Sequence, residues 1–184
     1  MTFRNHPIRA LYHACSGGHT ENAENVYKEA LAYLRGVPSP GEEGHSRFEN
    51  RVKMHITELE EAFLNDDTVE FLPDYPLSTQ IEILTASDTG RVKDVRIGLN
   101  KMSGNEFRRK LNLDSSNFQM EFDDEYNFVT FITKGFGHGV GMSQAGAEAM
   151  AQNGRTYIQI LTYYYSGVSV QDMNDIIGRE AQKA

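Results

Sequence analysis

The segment GFGHGVGMSQ, residues 135–144, places a histidine among alternating glycines just ahead of a predicted helix. In an extended segment, Gly137, Gly139 and Gly141 would share a face without side chains, and His138 would lie on the opposite face. Such a face can bind a flat ligand against the backbone, and a helix N-terminus favours oxygen-rich ligands. The alternative is a tight corner with His138 as a hydrogen-bonded core residue, which the spacing alone favours.

A second segment, YHACSGGHTEN at residues 12–22, carries side chains that zinc prefers. His13 and Cys15 would share one face of a strand, and His19 follows a Gly-Gly turn. Three such ligands with an open fourth position suit a catalytic zinc site, although no CxxC or HExxH pattern is present. Two other interpretations of this segment remain open. In the first, Cys15 is a small buried residue and His19 a turn residue; in the second, the two form a nucleophilic Cys–His pair.

Acidic side chains near these segments could take part in cleaving a glycosidic bond, which needs a carboxylic acid to protonate the leaving oxygen. Glu21 and Glu24 follow the Gly-Gly turn, and the pair 42–43 lies in a Pro-Gly loop. With 26 acidic residues in the chain a candidate arises easily by chance, so no catalytic residue is assigned. The tyrosines at 163–165 are expected to pack in the core, and an exposed one could stack on a sugar ring.

The composition of the 184-residue chain limits its partners. The net charge of −8, with no cluster of Lys or Arg, argues against nucleic acid as a partner. The single cysteine excludes an internal disulfide. No apolar run is long enough to span a bilayer, and residues 1–20 lack the apolar core of a signal peptide. We therefore expect no targeting segment in this chain.

The elements that position these residues are short helices and β-hairpins, which together predict an α+β fold built on antiparallel hairpins. Alternation over 79–85 and 91–99 predicts one hairpin, and the segments NFQMEF and NFVTFIT predict a second. The run 8–12 has strand character. Helices are predicted over 57–64, where Thr57 and Glu60 have capping-box spacing, and from Ser103 to Leu111. Two more are expected, one between Ser143 and Gly154 and one over 156–165.

Three segments resemble the stage II sporulation protein D (SpoIID/LytB) family. GFGHGVGMSQAGAEAMAQNGRTYIQILTYYYSGV resembles its C-terminal signature, and YHACSGGHTENAENVY followed by VPSPGEE resembles its other long signature. VKDVRIGLNKMSGNEFRRKLNLDSSNF resembles its middle segment. The matches run in the expected order from about His6 to Val168, which covers nearly the whole chain.

The resemblance implies a lytic transglycosylase of bacterial peptidoglycan. In that reaction the bond between N-acetylmuramic acid and N-acetylglucosamine is cleaved without water, and the muramic 6-hydroxyl closes a 1,6-anhydro ring. The expected partners are denuded glycan strands and a wall amidase or another sporulation protein, with no nucleic acid. The expected location is the cell envelope, with the full-length protein exported or membrane-anchored. The alternative function is a non-catalytic glycan-binding or amidase-enhancing module.

The same resemblance gives the expected sites and domain limits. We expect residues 1–170 to form a SpoIID-like domain without the family's helix that carries the catalytic glutamate, and residues 171–184 to form a polar tail. Whether the chain is an enzyme as given is therefore left open, with the catalytic residue unknown. Zinc is a candidate cofactor, and no cofactor is certain. The expected metal ligands are His13, Cys15 and His19. The expected substrate-binding residues are Ser16, Gly17, Gly18, Glu21, Gly137, His138, Gly139, Ser143 and Gln144.

Overall fold

The computed structural model describes residues 1–27, 29–64, 69, 71–72 and 74–171. Within these residues, the strands are β1 (Thr2–Phe3), β2 (His6–Pro7), β3 (Tyr12–His13), β4 (Glu49–His55), β5 (Ile81–Ala86), β6 (Val92–Ile97), β7 (Asn100–Ser103), β8 (Phe118–Asp123), β9 (Phe128–Lys134) and β10 (Met142–Ser143). The helices are α1 (Ala23–Tyr27), α2 (Ile56–Phe63), α3 (Leu77–Gln80), α4 (Gly104–Lys110), α5 (Gln144–Gln152) and α6 (Tyr157–Tyr164).

Two three-stranded antiparallel sheets dominate the fold, with strand orders β4-β9-β8 and β5-β6-β7. Both predicted hairpins are present, as β5–β6 and β8–β9. Together with the short helices they confirm the α+β class. The glycine-rich segment and the His13 segment meet in a parallel pair, in which β3 lies beside β10 with Ser143 opposite His13. This pairing brings the two predicted functional segments together.

Side-chain caps set the starts of the helices. Ser103 accepts a hydrogen bond from the Glu106 amide at the start of α4, and Ser143 accepts one from the Gly146 amide at the start of α5. Gly154 follows α5 with φ +79°, as expected for the residue after a helix end. The capping box of α2 was predicted at the wrong pair: it joins His55 to Glu58, two residues upstream of the predicted pair.

The larger hydrophobic core joins both three-stranded sheets to α2, α3 and α4. At its centre, the Phe107 ring from α4 stacks on Phe118 of β8 with ring centroids 5.5 Å apart. The same ring lies 5.8 Å from Phe131 and 6.0 Å from Phe63. This aromatic cluster fixes α4, whose outer side contributes residues to the cleft described below.

A second hydrophobic core packs α1, α6 and the glycine-rich segment together, with Val140, Tyr164 and Tyr165 among its buried members. The burial of Tyr164 and Tyr165 confirms their predicted core role, whereas Tyr163 is partly exposed. The strand predicted over 8–12 is wrong. Residues 8–11 form no strand, and β3 comprises only Tyr12 and His13.

The predicted domain limits stay a prediction, because residues 172–184 of the expected tail lie outside the described residues. No helix among the residues that the structure describes is long and apolar enough to cross a membrane.

Replacing Phe107 tests the importance of the aromatic cluster. We expect Phe107→Ala to lower the free energy of unfolding by about 3–5 kcal/mol, because it leaves a cavity among three rings. Leu99→Ala is the matched control, since Leu99 is 98 % exposed and its loss should change stability by less than about 0.5 kcal/mol. Urea denaturation followed by circular dichroism measures both, and equal effects would contradict the assignment.

Candidate functional site

The glycine-rich segment is not extended, so the expected face without side chains does not form. Gly135, Gly137, Gly139 and Gly141 all have positive φ, between +76° and +114°. A side chain at Gly139 would overlap the guanidinium of Arg91, and one at Gly141 would overlap a backbone carbonyl of the segment before β3. These two glycines therefore allow other parts of the chain to approach closely, and they do not form a binding surface for a flat ligand.

Arg91 lies behind the glycine-rich segment and is only 2 % exposed. Its Nη2 donates to the Ser16 carbonyl at 3.0 Å, while Nε and Nη1 are buried without a hydrogen-bond partner. Burial lowers the pKa of Arg91 to about 10, against the raising effects of Glu21 and Glu42. The guanidinium is therefore charged at neutral pH and interacts electrostatically with the buried carboxylates Glu21 and Glu42.

The first of these carboxylates, Glu42, is held by the loop that was predicted to bind substrate. Its Oε2 accepts from the Ser16 amide at 2.9 Å, the Ser16 hydroxyl at 2.9 Å, the Gly17 amide at 3.0 Å and the Gly18 amide at 3.3 Å. The Cys15 thiol also donates to this oxygen, at 3.4 Å. Consecutive amides of this kind form a concave anion-binding site, and here the anion is the protein's own side chain.

The other oxygen of Glu42 connects this loop to two helices. Oε1 accepts from the Ser39 hydroxyl at 2.6 Å, and Ser39 in turn bonds the Tyr164 hydroxyl of α6 at 2.6 Å. Burial raises the pKa of Glu42, but hydrogen bonds from Ser143, Ser39, Ser16 and Cys15 outweigh it and leave the pKa below its ordinary value. Glu42 is therefore an ionised, fully hydrogen-bonded carboxylate, which suits a structural role and not a general acid.

Glu21 is the second buried carboxylate, at 1 % exposure. Its Oε2 accepts from the hydroxyls of Ser87 and Thr89, and its Oε1 accepts from Asn22 and Asn25. Burial raises the pKa of Glu21, but these four donors together leave it below its ordinary value. Because Ser87 and Thr89 belong to the β5–β6 turn, Glu21 ties that hairpin to the start of α1.

The three expected metal ligands do not form a metal site in this structure. Burial, with the Glu42 charge beside it, raises the pKa of Cys15 to about 11, so Cys15 is a thiol in the metal-free protein. His13 donates Nδ1–H to the Val140 carbonyl at 3.3 Å, and His19 donates to the Thr20 carbonyl at 2.7 Å. No group of three or more His, Cys, Asp or Glu side chains among the described residues is placed to hold a metal ion. Zinc binding by His13, Cys15 and His19 therefore stays a prediction.

An open cleft of about 610 Å³ lies beside the glycine-rich segment, with His138 as one of its lining residues. The Tyr27 ring stands edge-on to His138 with centroids 5.7 Å apart, and the His13 ring centroid lies 5.6 Å from that of His138. Tyr27 is 40 % exposed, so part of its ring faces solvent. The remaining lining residues are Glu24, Asn25, Val26, Val92, Lys93, Asp94, Ser103, Asn105, Arg108 and Arg109.

His138 is neutral under ordinary conditions. Burial is the main cause that lowers its pKa, the Arg91 and Arg108 charges add to it, and a hydrogen bond to the Tyr12 backbone acts in the opposite direction. Its Nδ1 accepts from the Val140 amide at 3.1 Å, so the proton resides on Nε2. The imidazole is held in one tautomer by its own loop and lines the cleft without a positive charge.

Comparison with known proteins assigns the chain to a family. No family model matches it. Relatives named stage II sporulation protein D match the whole chain, at 31 % identity over 187 residues in Bacillus amyloliquefaciens and 30 % over 185 residues in Bacillus subtilis (strain 168). The chain belongs to the stage II sporulation protein D family. It spans about half the length of these relatives, since each match covers 51 % of the relative.

A shorter similarity connects this family member to a second kind of protein. Over 41 residues, 22 % of the chain, it is 51 % identical to a Bacillus subtilis protein named amidase enhancer, of which the match covers 6 %.

The residues expected to bind substrate in this family member separate into two groups. Ser16, Glu21 and Ser143 are at most 1 % exposed and bond within the protein, and Gly139 is covered by Arg91, so their burial argues against direct contact with substrate. The accessible ones are Gly17, Gly18, Gly137, His138 and Gln144. Of these only His138 lines the cleft, and substrate contact by the others stays a prediction.

Sequence reasoning missed three features of the site. It noted Glu42 only as one acid in a Pro-Gly loop and did not predict that the segment Ser16–Gly18 would bind it, because 26 residues separate Glu42 from Ser16. It also missed Arg91 and the cleft residue Arg108. Arg91 is the only arginine fully buried among the described residues, and its place after Thr89-Gly90 in a hairpin turn gave no signal of burial.

The charge of Glu42 predicts a pH dependence of stability. Because its pKa is lower in the folded state, Glu42 stabilises the fold above the ordinary carboxyl pKa of 4.5, and this contribution is lost as pH falls through the folded pKa. We expect Glu42→Gln to lower the free energy of unfolding at pH 7 by about 2–3 kcal/mol and to flatten its decline in acid. Glu43→Gln, at the exposed neighbour, should match the wild type in urea denaturation at pH 3–7. If the free energy of unfolding of Glu42→Gln fell with decreasing pH as steeply as that of the wild type, this role of Glu42 would be refuted.

Proposed function

We propose that the protein binds glycan strands of peptidoglycan in its open cleft, as part of sporulation-related remodelling of the cell wall. The observation that carries this is the cleft beside His138, whose lining combines a half-exposed tyrosine with amides, a hydroxyl and arginines. Family membership supports this setting, because relatives that match the whole of this chain are named stage II sporulation protein D. The cell envelope is the location that this proposal requires.

The chemistry of the lining suits a sugar. The exposed part of the Tyr27 ring can pack on the apolar face of a pyranose ring, while Asn25, Ser103 and Asn105 offer hydrogen bonds to hydroxyl and acetamido groups. A volume of about 610 Å³ lies within the range of sites for small molecules or short oligomers. His138, held neutral in one tautomer, can support the edge of Tyr27.

The finer proposal is lytic transglycosylation. The muramic O6 bonds to its own C1 as the bond from C1 to the neighbouring O4 breaks; O4 takes a proton from a general acid, and the 6-hydroxyl proton goes to the resulting carboxylate. Such an acid needs a raised pKa. The cleft carboxylates do not fit: hydrogen bonds, from Arg35 to Glu24 and from Thr85 to Asp94, lower the pKa of each. The residues described here therefore bind and orient the strand, and none is proposed as the acid.

Binding and turnover can be measured separately. We expect the protein to co-sediment with glycan strands freed of stem peptides, and Tyr27→Ala to weaken this binding about tenfold because it removes a stacking ring. Tyr126→Ala is the control, since Tyr126 is 61 % exposed and lies outside the cleft. Mass spectrometry of the same mixtures should find few 1,6-anhydro ends. No retention of any strand would disprove glycan binding, and abundant anhydro products would show that the chain contains its own acid.

A second candidate function is the enhancement of a wall amidase. Two observations favour it: the 41-residue similarity to a protein named amidase enhancer, and the absence of a suitable acid among the carboxylates that line the cleft.

Amidase enhancement predicts a rate effect without any glycan cleavage. Adding the protein to a purified wall amidase should raise the release of stem peptides from cell walls, with the Tyr27→Ala variant giving a smaller increase. An unchanged amidase rate at saturating protein would rule this candidate out.

A further inference from the structure

The cleft is unusual in its balance of charge. The whole chain carries a net charge of −8, yet the cleft is lined by three cations, Lys93, Arg108 and Arg109, and only two acids, Glu24 and Asp94. Clefts lined by one sign of charge attract ligands of the other sign, and this one opposes the sign of the rest of the molecule.

Both acids are already neutralised by neighbours. Glu24 accepts from both Nη atoms of Arg35, at 2.7 and 2.5 Å. Asp94 pairs with Lys101 at 3.2 Å and accepts from the Thr85 hydroxyl at 2.7 Å. Each carboxylate therefore has a cationic partner that does not line the cleft, and the charge of the cleft residue Lys93 also acts on Asp94.

None of the three cations has such a paired carboxylate among the described residues; burial lowers the pKa of Arg108, and the Asp114 charge acts in the opposite direction. Arg108 uses Nε to donate to the Leu113 carbonyl at 3.1 Å, and Arg109 uses Nε to donate to the Asn105 carbonyl at 3.3 Å. These bonds hold both side chains through Nε, and their terminal Nη groups form no hydrogen bond with the residues that the structure describes. Within the described part of the chain, neither arginine forms an ion pair, and neither does Lys93.

Arg108 lines the same cleft as the aromatic pair Tyr27 and His138. The two rings of that pair lie with their centroids 5.7 Å apart. Arg108 is half-buried, whereas Arg109 is exposed at the rim. An anion bound to Arg108 would therefore share the cleft with a sugar ring packed on Tyr27.

We propose that Arg108, assisted by Arg109, determines substrate specificity by binding a carboxylate carried on the sugar itself, the free lactyl carboxylate of N-acetylmuramic acid. This inference rests on the proposed glycan-binding function. A guanidinium binds a carboxylate through two parallel hydrogen bonds, which gives both strength and direction. An attached stem peptide converts this carboxylate into an uncharged amide, and N-acetylglucosamine lacks the group. The cleft thus distinguishes a bare muramic residue from a substituted one.

Three oligomers of equal length test the specificity by isothermal titration calorimetry at low salt. The first alternates N-acetylglucosamine and N-acetylmuramic acid with free carboxylates, the second has those carboxylates amidated, and the third contains N-acetylglucosamine alone. We expect the wild type to bind the first about tenfold or more tightly than the other two. Raising the ionic strength should reduce this advantage.

Two variants and a control assign the effect to the arginines. Arg108→Gln should remove most of the preference for the free carboxylate while leaving the affinity for the third oligomer within about twofold, and Arg109→Gln should remove part of it. Arg155→Gln is the control of equal charge change, because Arg155 is exposed and lies outside the cleft. Circular dichroism confirms that each variant is folded.

The outcomes separate the two proposals. Equal wild-type affinity for all three oligomers, or an equal loss for all three in Arg108→Gln, overturns the specificity role and leaves glycan binding intact. If no oligomer binds, glycan binding fails. The side-chain Nε–H NMR signal of Arg108 then decides the inference, with N-acetylmuramic acid and its methylamide as probes at millimolar concentration. A shift of this signal with N-acetylmuramic acid but not with its methylamide supports carboxylate binding by Arg108. No shift with N-acetylmuramic acid, or an equal shift with both probes, overturns it.

Discussion

The burial of one ionised carboxylate, Glu42, is the constraint on which this structure depends. Removing a carboxylate from water costs several kcal/mol unless hydrogen bonds replace its hydration. Here the replacement donors come from distant parts of the chain: the loop Ser16–Gly18, Ser39, and Ser143 at the start of α5. Since each donor must reach the same two oxygens, Glu42 fixes how these segments lie against one another, and through Ser39 it also fixes Tyr164 of α6.

Arg91 and Glu21 extend this arrangement toward the hairpin β5–β6. Arg91 bonds the Ser16 carbonyl, so the same loop that binds Glu42 also binds the buried guanidinium. Glu21 takes hydroxyl donors from the turn that precedes Arg91. The glycine-rich segment closes over this layer because Gly139 has no side chain to displace Arg91. Its glycines thus make room for protein, and the ligand cleft forms beside them.

The sequence predicted what depends on local spacing. The hairpins and the caps at Ser103 and Ser143 follow from alternation and from residues three apart, and the structure contains them. The roles within the site depend on pairs far apart in sequence, such as Arg91 with Ser16, which are 75 residues apart. Spacing does not encode such pairs, and therefore Ser16 and Glu21 were predicted as cleft residues although their side chains are buried.

The buried charges and the cleft charges differ in one respect that bears on function. Glu21 and Glu42 have every oxygen bonded within the protein, so they contribute to folding and have no free acceptor for a ligand. Arg108 donates its Nε–H to a backbone carbonyl, which leaves its Nη groups available to a ligand. The two acids that line the same cleft are paired with Arg35 and Lys101. The two buried carboxylates are thus fully hydrogen-bonded within the protein, whereas Arg108 keeps Nη groups available in the cleft that the exposed Tyr27 ring also lines, as expected of a site completed by an anionic ligand.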